Sequence, residues 1–322
     1  MTNGAAQRRR VLVVVNETAR GGAVGLVDDV QRRCRESGCE PVTLVPTGRR
    51  AAVRAIRAAL ADDGPWYALV AVGGDGTVRT CAEAAAGGDV PIAIVPAGTG
   101  NSLYRALWED RPWSDVLGEA LGASIPGDAV RVRQVDLLRV TGGTSELVAT
   151  AMLGANAGLV AEVVRASEQL TGVSGRERYS AAIGPALEAH VPFPARVTLD
   201  GEVLTDGPVS LIAVGGARHR SGTLQLLPRS VLDDGLLDVC VICGVEADAF
   251  IELAGAVVAG EHVGLPGVDY AQGRSVVIER TDGGWLPFES DGDLWPVAEH
   301  SVTIEVVAPA VAMLAPLQPV AG

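Results

Sequence analysis

Apolar and polar positions fall into two regimes along the chain. In the first hundred residues, short unbroken apolar runs alternate with stretches of helical spacing. Residues 11–15 (VLVVV), 67–72 (YALVAV) and 92–95 (IAIV) contain no charged position, which predicts strands buried on both faces. A shorter strand is expected at 41–45, with Thr47-Gly48 as its turn. Residues 24–37 repeat apolar positions at helical spacing and stop at Gly38. Residues 49–61 are rich in Ala and Arg, a helix-favouring composition, and helices are also expected at 77–86 and after Asn101. This alternation predicts a parallel sheet with helices on its faces.

Beyond about residue 127 the regime changes. Short β-rich runs occupy 135–140, 147–151, 195–199, 209–214, 237–242, 275–279 and 301–307, interrupted by helices near 161–170 and 179–190. Gly142-Gly143, Asp200-Gly201, Asp206-Gly207 and Asp282-Gly283 read as turns between strands. The expected fold class is therefore α/β, with an N-terminal open parallel sheet followed by a C-terminal antiparallel β-sandwich. The expected domains are an α/β domain over 1–130 and a β-rich domain over 131–305. The apolar tail, 306–322, is interrupted by Pro309, Pro316 and Pro319.

Composition narrows the function classes. The chain has 322 residues, 48% of them hydrophobic, which is enough for sizeable cores. Its formal net charge is -13, which argues against a nucleic-acid partner and against strong adsorption to anionic membranes. All 26 basic residues are Arg. A P-loop and a protein-kinase strand each need a Lys, so both are excluded. The five cysteines, without a secretory leader, suit a reducing cytosol. Cys240 and Cys243 form a lone CxxC within a strand run. Residues three apart on a strand point to opposite faces, so core packing is expected rather than a shared metal.

The sharpest chemical signal is Gly73-Gly74-Asp75-Gly76-Thr77, between a buried strand and a helix. Glycines allow close backbone approach to a phosphate, and a helix N-terminus offers N–H groups and a positive dipole end. The same five residues would also serve as a plain strand-to-helix turn with Asp75 as N-cap. A second loop, residues 96–101 (PAGTGN), follows the next strand. Ligands bind outside the carboxyl ends of strands in open parallel sheets, so the two loops together point to a phosphate site.

VAVGGDGTVRTCAEAAA followed by IAIVPAGTGNSLYRAL resembles the catalytic domain of the diacylglycerol kinase family, which includes sphingosine and ceramide kinases. VVVNETARGG, VDLLRV, LDDGLLDVCVI and FESDGDLWP are similar to four further family segments, in the family's order. The resemblance implies ATP contacts at Asn16, Thr47, Gly73, Gly74, Asp75, Gly76, Thr77, Val78, Arg79, Thr80, Gly98, Thr99 and Asn101. It implies that Asp75 and Asp136 organise catalytic Mg²⁺ and phosphates. Asp291 and Asp293 would handle the acceptor hydroxyl, Asp293 as proton acceptor. Asp234 and the backbone carbonyls of Val231 and Leu236 would hold a structural Mg²⁺. The C-terminal tail would return to the first domain.

The implied activity is an ATP- and Mg²⁺-dependent lipid kinase acting on a diacylglycerol-like alcohol. It would be cytoplasmic, transiently at the inner membrane face, with no nucleic-acid partner and a homodimer left open. Phosphoryl transfer needs positioning and charge neutralisation more than covalent help. An NAD kinase-like enzyme shares the Gly-Gly-Asp-Gly-Thr turn, and a non-catalytic nucleotide or lipid sensor could share the fold. The chain departs from the family pattern at Glu17 (usually Pro), Ser102 (usually Asp), Val160 (usually Asp) and Asp293 (usually Glu). Arg20, and the basic loop Arg218, His219 and Arg220, are further charged candidates beside the phosphates or a lipid headgroup.

Overall fold

The computed structural model describes residues 9–16, 23–62, 64–122, 130–173, 175–218, 224–244 and 247–317. Glu17, Arg20, His219 and Arg220 lie outside these residues. The chain divides into two compact units, 1–135 with 310–322, and 136–309.

The first unit carries strands β1 (Arg9–Val15), β2 (Cys39–Leu44), β3 (Trp66–Gly73) and β4 (Ile92–Pro96). Its helices are α1 (Val27–Glu36), α2 (Arg49–Ala61), α3 (Asp75–Ala85), α4 (Ser102–Trp108) and α5 (Trp113–Leu121). The strands run parallel in the order β2-β1-β3-β4, and Met313, near the chain's end, pairs in parallel with Ile92. Val11, Val13, Val15, Val70, Val72 and Val95 meet Leu117 and Leu121 of α5 in one core. The uninterrupted apolar runs follow from this, because every strand position meets another element.

The second unit contains β5 (Val130–Gly142), which begins in the first unit, β6 (Val148–Ala151) and β7 (Gly154–Gly158). The helices α6 (Leu159–Gln169) and α7 (Gly175–Ala189) come next, then β8 (Phe193–Leu199), β9 (Glu202–Gly215) and β10 (Leu237–Cys243). Helix α8 (Ala247–Ala259) precedes β11 (Val268–Gly273), β12 (Ser275–Arg280), β13 (Phe288–Ser290), β14 (Asp293–Leu294) and β15 (Ser301–Pro316). Pairing here is antiparallel. The long strand β9 serves β7 and β10 with its second half and β8 with its first. β12 joins β8 to β15, and β13 joins β7 to β14. The result is an antiparallel, sandwich-like domain built around Leu138, Phe193, Ile212, Val241, Ile278 and Ile304.

The CxxC pair behaves as a two-residue period requires. Cys240 packs with Leu226, Leu253 and Val257 on one side of β10, while Cys243 packs against the sandwich core on the other. Four expectations change. Asp75 is the first residue of α3, and Gly74 is its N-cap. Asp206-Gly207 lies inside β9 rather than in a turn, because Gly207 at φ 157° stays extended enough to pair with Ala195. Pro309 lies within β15, where a fixed extended φ is tolerated. Residues 24–37 begin as a 3-10 turn, Ala23–Leu26, before α1. No helix among the described residues is long and apolar enough to cross a membrane.

Among the titratable groups buried in the second unit, His262 and Asp238 have opposite effects. His262 is fully buried, with Nε2 3.2 Å from the Leu226 carbonyl, and burial lowers its pKa. Burial raises that of Asp238, against hydrogen bonds from Tyr270 (2.6 Å) and Gln272 (3.3 Å). A buried imidazole that resists protonation contributes stability that is complete above its unfolded pKa of about 6.5 and is lost as pH falls through that range. Urea unfolding of the intact chain should therefore weaken between about pH 8 and about pH 5. His262→Gln should flatten that slope, and because Asp238 is untouched the difference isolates the imidazole.

Candidate active site

In the first unit the two glycine loops meet backbone to backbone. A Cβ on Gly98 would lie 2.4 Å from the Gly74 Cα, and one on Gly74 would lie 3.1 Å from the Gly98 Cα. Such contact leaves no room for any side chain. Gly73 is fixed by a separate clash, since a Cβ there would sit 2.2 Å from Thr77 Oγ1. The loops follow neighbouring parallel strands, and the Ala97 N–H donates to the Gly73 carbonyl at 2.9 Å.

Asp75 ties the two loops together. Its carboxylate accepts the backbone N–H groups of Ser102 and Leu103, each at 3.0 Å. These are N-terminal donors of α4, which helical geometry leaves without an intrahelical acceptor. The residue before them, Asn101, has a left-handed backbone (φ 51°) and makes no side-chain cap of α4. Its amide instead closes the loop on itself, accepting from Gly98 N–H and donating to the Gly98 carbonyl, both at 2.9 Å. One carboxylate thus sits in the first turn of α3 and caps α4.

The remaining nucleotide candidates divide by exposure. Gly74, Gly98 and Asn101 are partly exposed, and Gly76 and Thr99 are exposed. Thr77, Val78, Arg79 and Thr80 are buried along α3, and Thr80 Oγ1 donates to the Gly76 carbonyl at 2.8 Å. Asn16 Nδ2 donates to Thr77 Oγ1 at 3.2 Å, which brings the end of β1 to the first loop. Thr47 is on the exposed bend before α2.

In the second unit the acidic candidates form two groups. Asp136 is buried. Its N–H donates to the Leu232 carbonyl, and its carboxylate accepts the Gly235 N–H, both at 2.8 Å. It thereby fixes the turn that carries exposed Asp234, which accepts the Leu236 N–H at 3.0 Å. Among the described residues there is no group of three His, Cys, Asp or Glu that could hold a metal ion. The structural cation that the family resemblance implies beside Asp234 would draw on the backbone carbonyls of Val231 and Leu236. An all-oxygen set of this kind suits a hard cation.

The other group is the β13–β14 hairpin. Asp291 has a left-handed backbone (φ 49°). Its carboxylate accepts the N–H groups of Met152 (2.9 Å), Leu153 (2.9 Å) and Gly154 (3.1 Å). Two residues earlier, Glu289 is buried against the Asn156 amide and accepts the Gly292 N–H at 2.7 Å. Asp291 and Glu289 together lock the hairpin onto β7, with exposed Asp293 at the start of β14. Sequence reasoning passed over Glu289 and Asn156. The signal was present: Phe288 points into the core, so its neighbour Glu289 faces the other side of the strand. Val160, at the position where an Asp was expected, is buried beside Leu211 and Ala213.

The comparisons with known proteins fall on both units. Residues 10–140 match the family described as Diacylglycerol kinase catalytic domain. Residues 154–315 match that described as YegS C-terminal NAD kinase beta sandwich-like domain. The chain is 27% identical over 265 residues to a protein of Mycobacterium tuberculosis named Diacylglycerol kinase, covering 80% of this chain and 81% of the relative. It is 26% identical over 241 residues to the Bacillus subtilis Diacylglycerol kinase, covering 69% and 73%. A crystal structure of a diacylglycerol kinase from Bacillus anthracis aligns with a TM-score of 0.66 at 15% identity, covering 96% of this chain and 97% of the other. That likeness speaks to the fold.

The loop packing makes two glycines respond oppositely to the same substitution. Gly98→Ala forces backbone apart and should destabilise the chain by about 1–3 kcal/mol. Gly76 faces open space inside the first turn of α3, so Gly76→Ala should be neutral or stabilise by about 0.5–1 kcal/mol. Asp75→Ala should lower stability by about 0.5–2 kcal/mol through loss of the α4 cap. Urea midpoints of the purified variants test all three.

Proposed function

The chain belongs to the family of kinases that join a diacylglycerol kinase catalytic domain to a YegS C-terminal NAD kinase beta sandwich-like domain, and we propose that it transfers the γ-phosphate of ATP to the hydroxyl of a lipid alcohol. Diacylglycerol, named in the Mycobacterium tuberculosis and Bacillus subtilis relatives, is the default acceptor. The observation that carries the reading is the side-chain-free contact of Gly74 with Gly98, bridged by Asp75. It supports phosphate binding because side chains are absent where a triphosphate would lie, and the first turn of α3 presents N–H groups and a positive dipole end there.

The acceptor side follows from the hairpin. Asp291 sets the hairpin's geometry through backbone N–H groups, and Asp293, exposed at the start of β14, is the carboxylate proposed to meet the substrate. It orients the acceptor hydroxyl and takes its proton as the oxygen bonds to the γ-phosphorus and ADP leaves. Asp75 is proposed to face Mg²⁺ on the phosphates. Asp234, with the carbonyls of Val231 and Leu236, is proposed for a structural cation on the turn that Asp136 braces. Bound Mg²⁺ would neutralise phosphate charge. The reaction is proposed to take place at the cytoplasmic face of a membrane, where lipid alcohol and ATP are both accessible.

Incubation with ATP, Mg²⁺ and a lipid mixture, followed by mass spectrometry, should yield a lipid phosphate, with NAD left unmodified in a parallel reaction. Phosphorylated NAD, or ATP binding with no acceptor ever phosphorylated, would overturn the proposal. Asp293→Asn should lower kcat by roughly 100-fold or more, the usual contribution of a positioned base. Asp293→Glu should retain or raise it.

A further inference from the structure

Arg165 of α6 and the segments 285–288 and 295–298 flanking the β13–β14 hairpin line an open pocket of about 190 Å³ within the second unit. Phe288 and Trp295 stack edge-to-face at 5.1 Å inside its wall, and Trp285, Val297 and Arg165 stand at its rim. The rim combines an exposed indole with an exposed aliphatic side chain. Trp285 is 67% exposed and Val297 43% exposed, whereas Trp108, by contrast, is buried in the first unit. Arg165 is exposed on α6. An indole, an aliphatic side chain and a guanidinium side by side match the interface of a bilayer, where indoles settle at headgroup level and a guanidinium meets lipid phosphate.

We propose that this rim docks on a phospholipid bilayer. Two observations select that partner. One is charge. Glu168 lies one turn beyond Arg165 on α6, and the chain's net charge is -13. Long-range attraction to an anionic leaflet is therefore absent, and Arg165 contributes by local contact with a headgroup phosphate. The surface thus fits a zwitterionic bilayer and binds through aromatic and aliphatic insertion. The other is continuity with the candidate acceptor site. The wall residues Phe288 and Trp295 flank Asp291 and Asp293 in the same hairpin, and Trp295 Nε1 donates to Ser290 Oγ at 3.2 Å. Docking here brings the hairpin to the depth at which a membrane lipid presents its hydroxyl. The continuity argument rests on the lipid-kinase reading; the exposed indole, aliphatic side chain and guanidinium do not.

The test is sedimentation of the full chain with sucrose-loaded phosphatidylcholine vesicles, with and without phosphatidylglycerol. Wild type should bind pure phosphatidylcholine vesicles at least as well as those with phosphatidylglycerol, and added salt should narrow any difference. Trp285→Ala with Val297→Ser should bind about tenfold more weakly, the effect of a lost aromatic anchor and its neighbour. Arg165→Gln should bind detectably more weakly to both vesicle types. Val203→Ala, an exposed apolar position on β9, should match wild type. Should the double variant fail to fold, Trp285→Phe carries the test: quenching of tryptophan fluorescence by brominated lipid should drop relative to wild type. Equal binding by wild type and the rim variants, equal loss in Val203→Ala, or binding only with phosphatidylglycerol would overturn the proposal. Vesicle binding without phosphorylation of any lipid would leave docking intact and reject the kinase reading instead. If both hold, the rim variants should lose activity on vesicle-borne acceptor and keep it on a short-chain, water-soluble one.

Discussion

The contact of Gly74 with Gly98 is the constraint on which the first unit's chemistry depends. Two backbones cannot approach so closely with a Cβ on either, and Asp75 reinforces the approach by fastening one loop to the helix that follows the other, beside the Ala97-to-Gly73 backbone bond. The carboxylate satisfies α4 donors that Asn101 leaves unanswered, since the Asn101 amide is spent closing its own loop. Cap, loop closure and glycine packing therefore form one unit. The carboxylate of Asp75 is held in place by backbone N–H groups, the kind of preorganisation on which the proposed phosphoryl transfer would draw.

The second unit solves a related problem with carboxylates. Asp291 and Glu289 each take backbone N–H groups that would otherwise be orphaned at the hairpin and at residues 152–154. Buried acceptors of this kind are stable only when paired, and their pairing fixes where Asp293 stands. Asp136 works in the same way on the turn that carries Asp234. Acidic residues that sequence reasoning grouped as catalytic thus divide into those that brace backbone and those that face outward.

Much of the fold was legible because the parallel strands are buried on both faces and so are written as apolar runs. The helix at Arg49–Ala61 and the strands near 11–15, 67–72 and 92–95 emerge close to their expected limits. Legibility fell where a signal had two meanings. Asp-Gly at 206–207 is turn chemistry, yet Gly207 also fits an extended strand. β7, with the sequence GANAG, has almost no strand propensity and is a strand because β9 and β13 lie on either side of it. Helix α8 is apolar nearly all round, so no periodicity marked it.

Sequence alone determined the buried parallel strands and the helices between them, the two glycine loops, the exclusion of lysine-dependent phosphate sites and the acidic residues able to meet phosphate or metal. These follow from local rules of period, propensity and residue chemistry. Only the tertiary structure decided which carboxylates are spent on backbone and which face outward, that Glu289 and Asn156 belong to the hairpin, and that Trp285 is exposed while Trp108 is buried. Each of those outcomes depends on which distant backbone N–H or apolar surface reaches the side chain, and one-dimensional spacing does not carry that information.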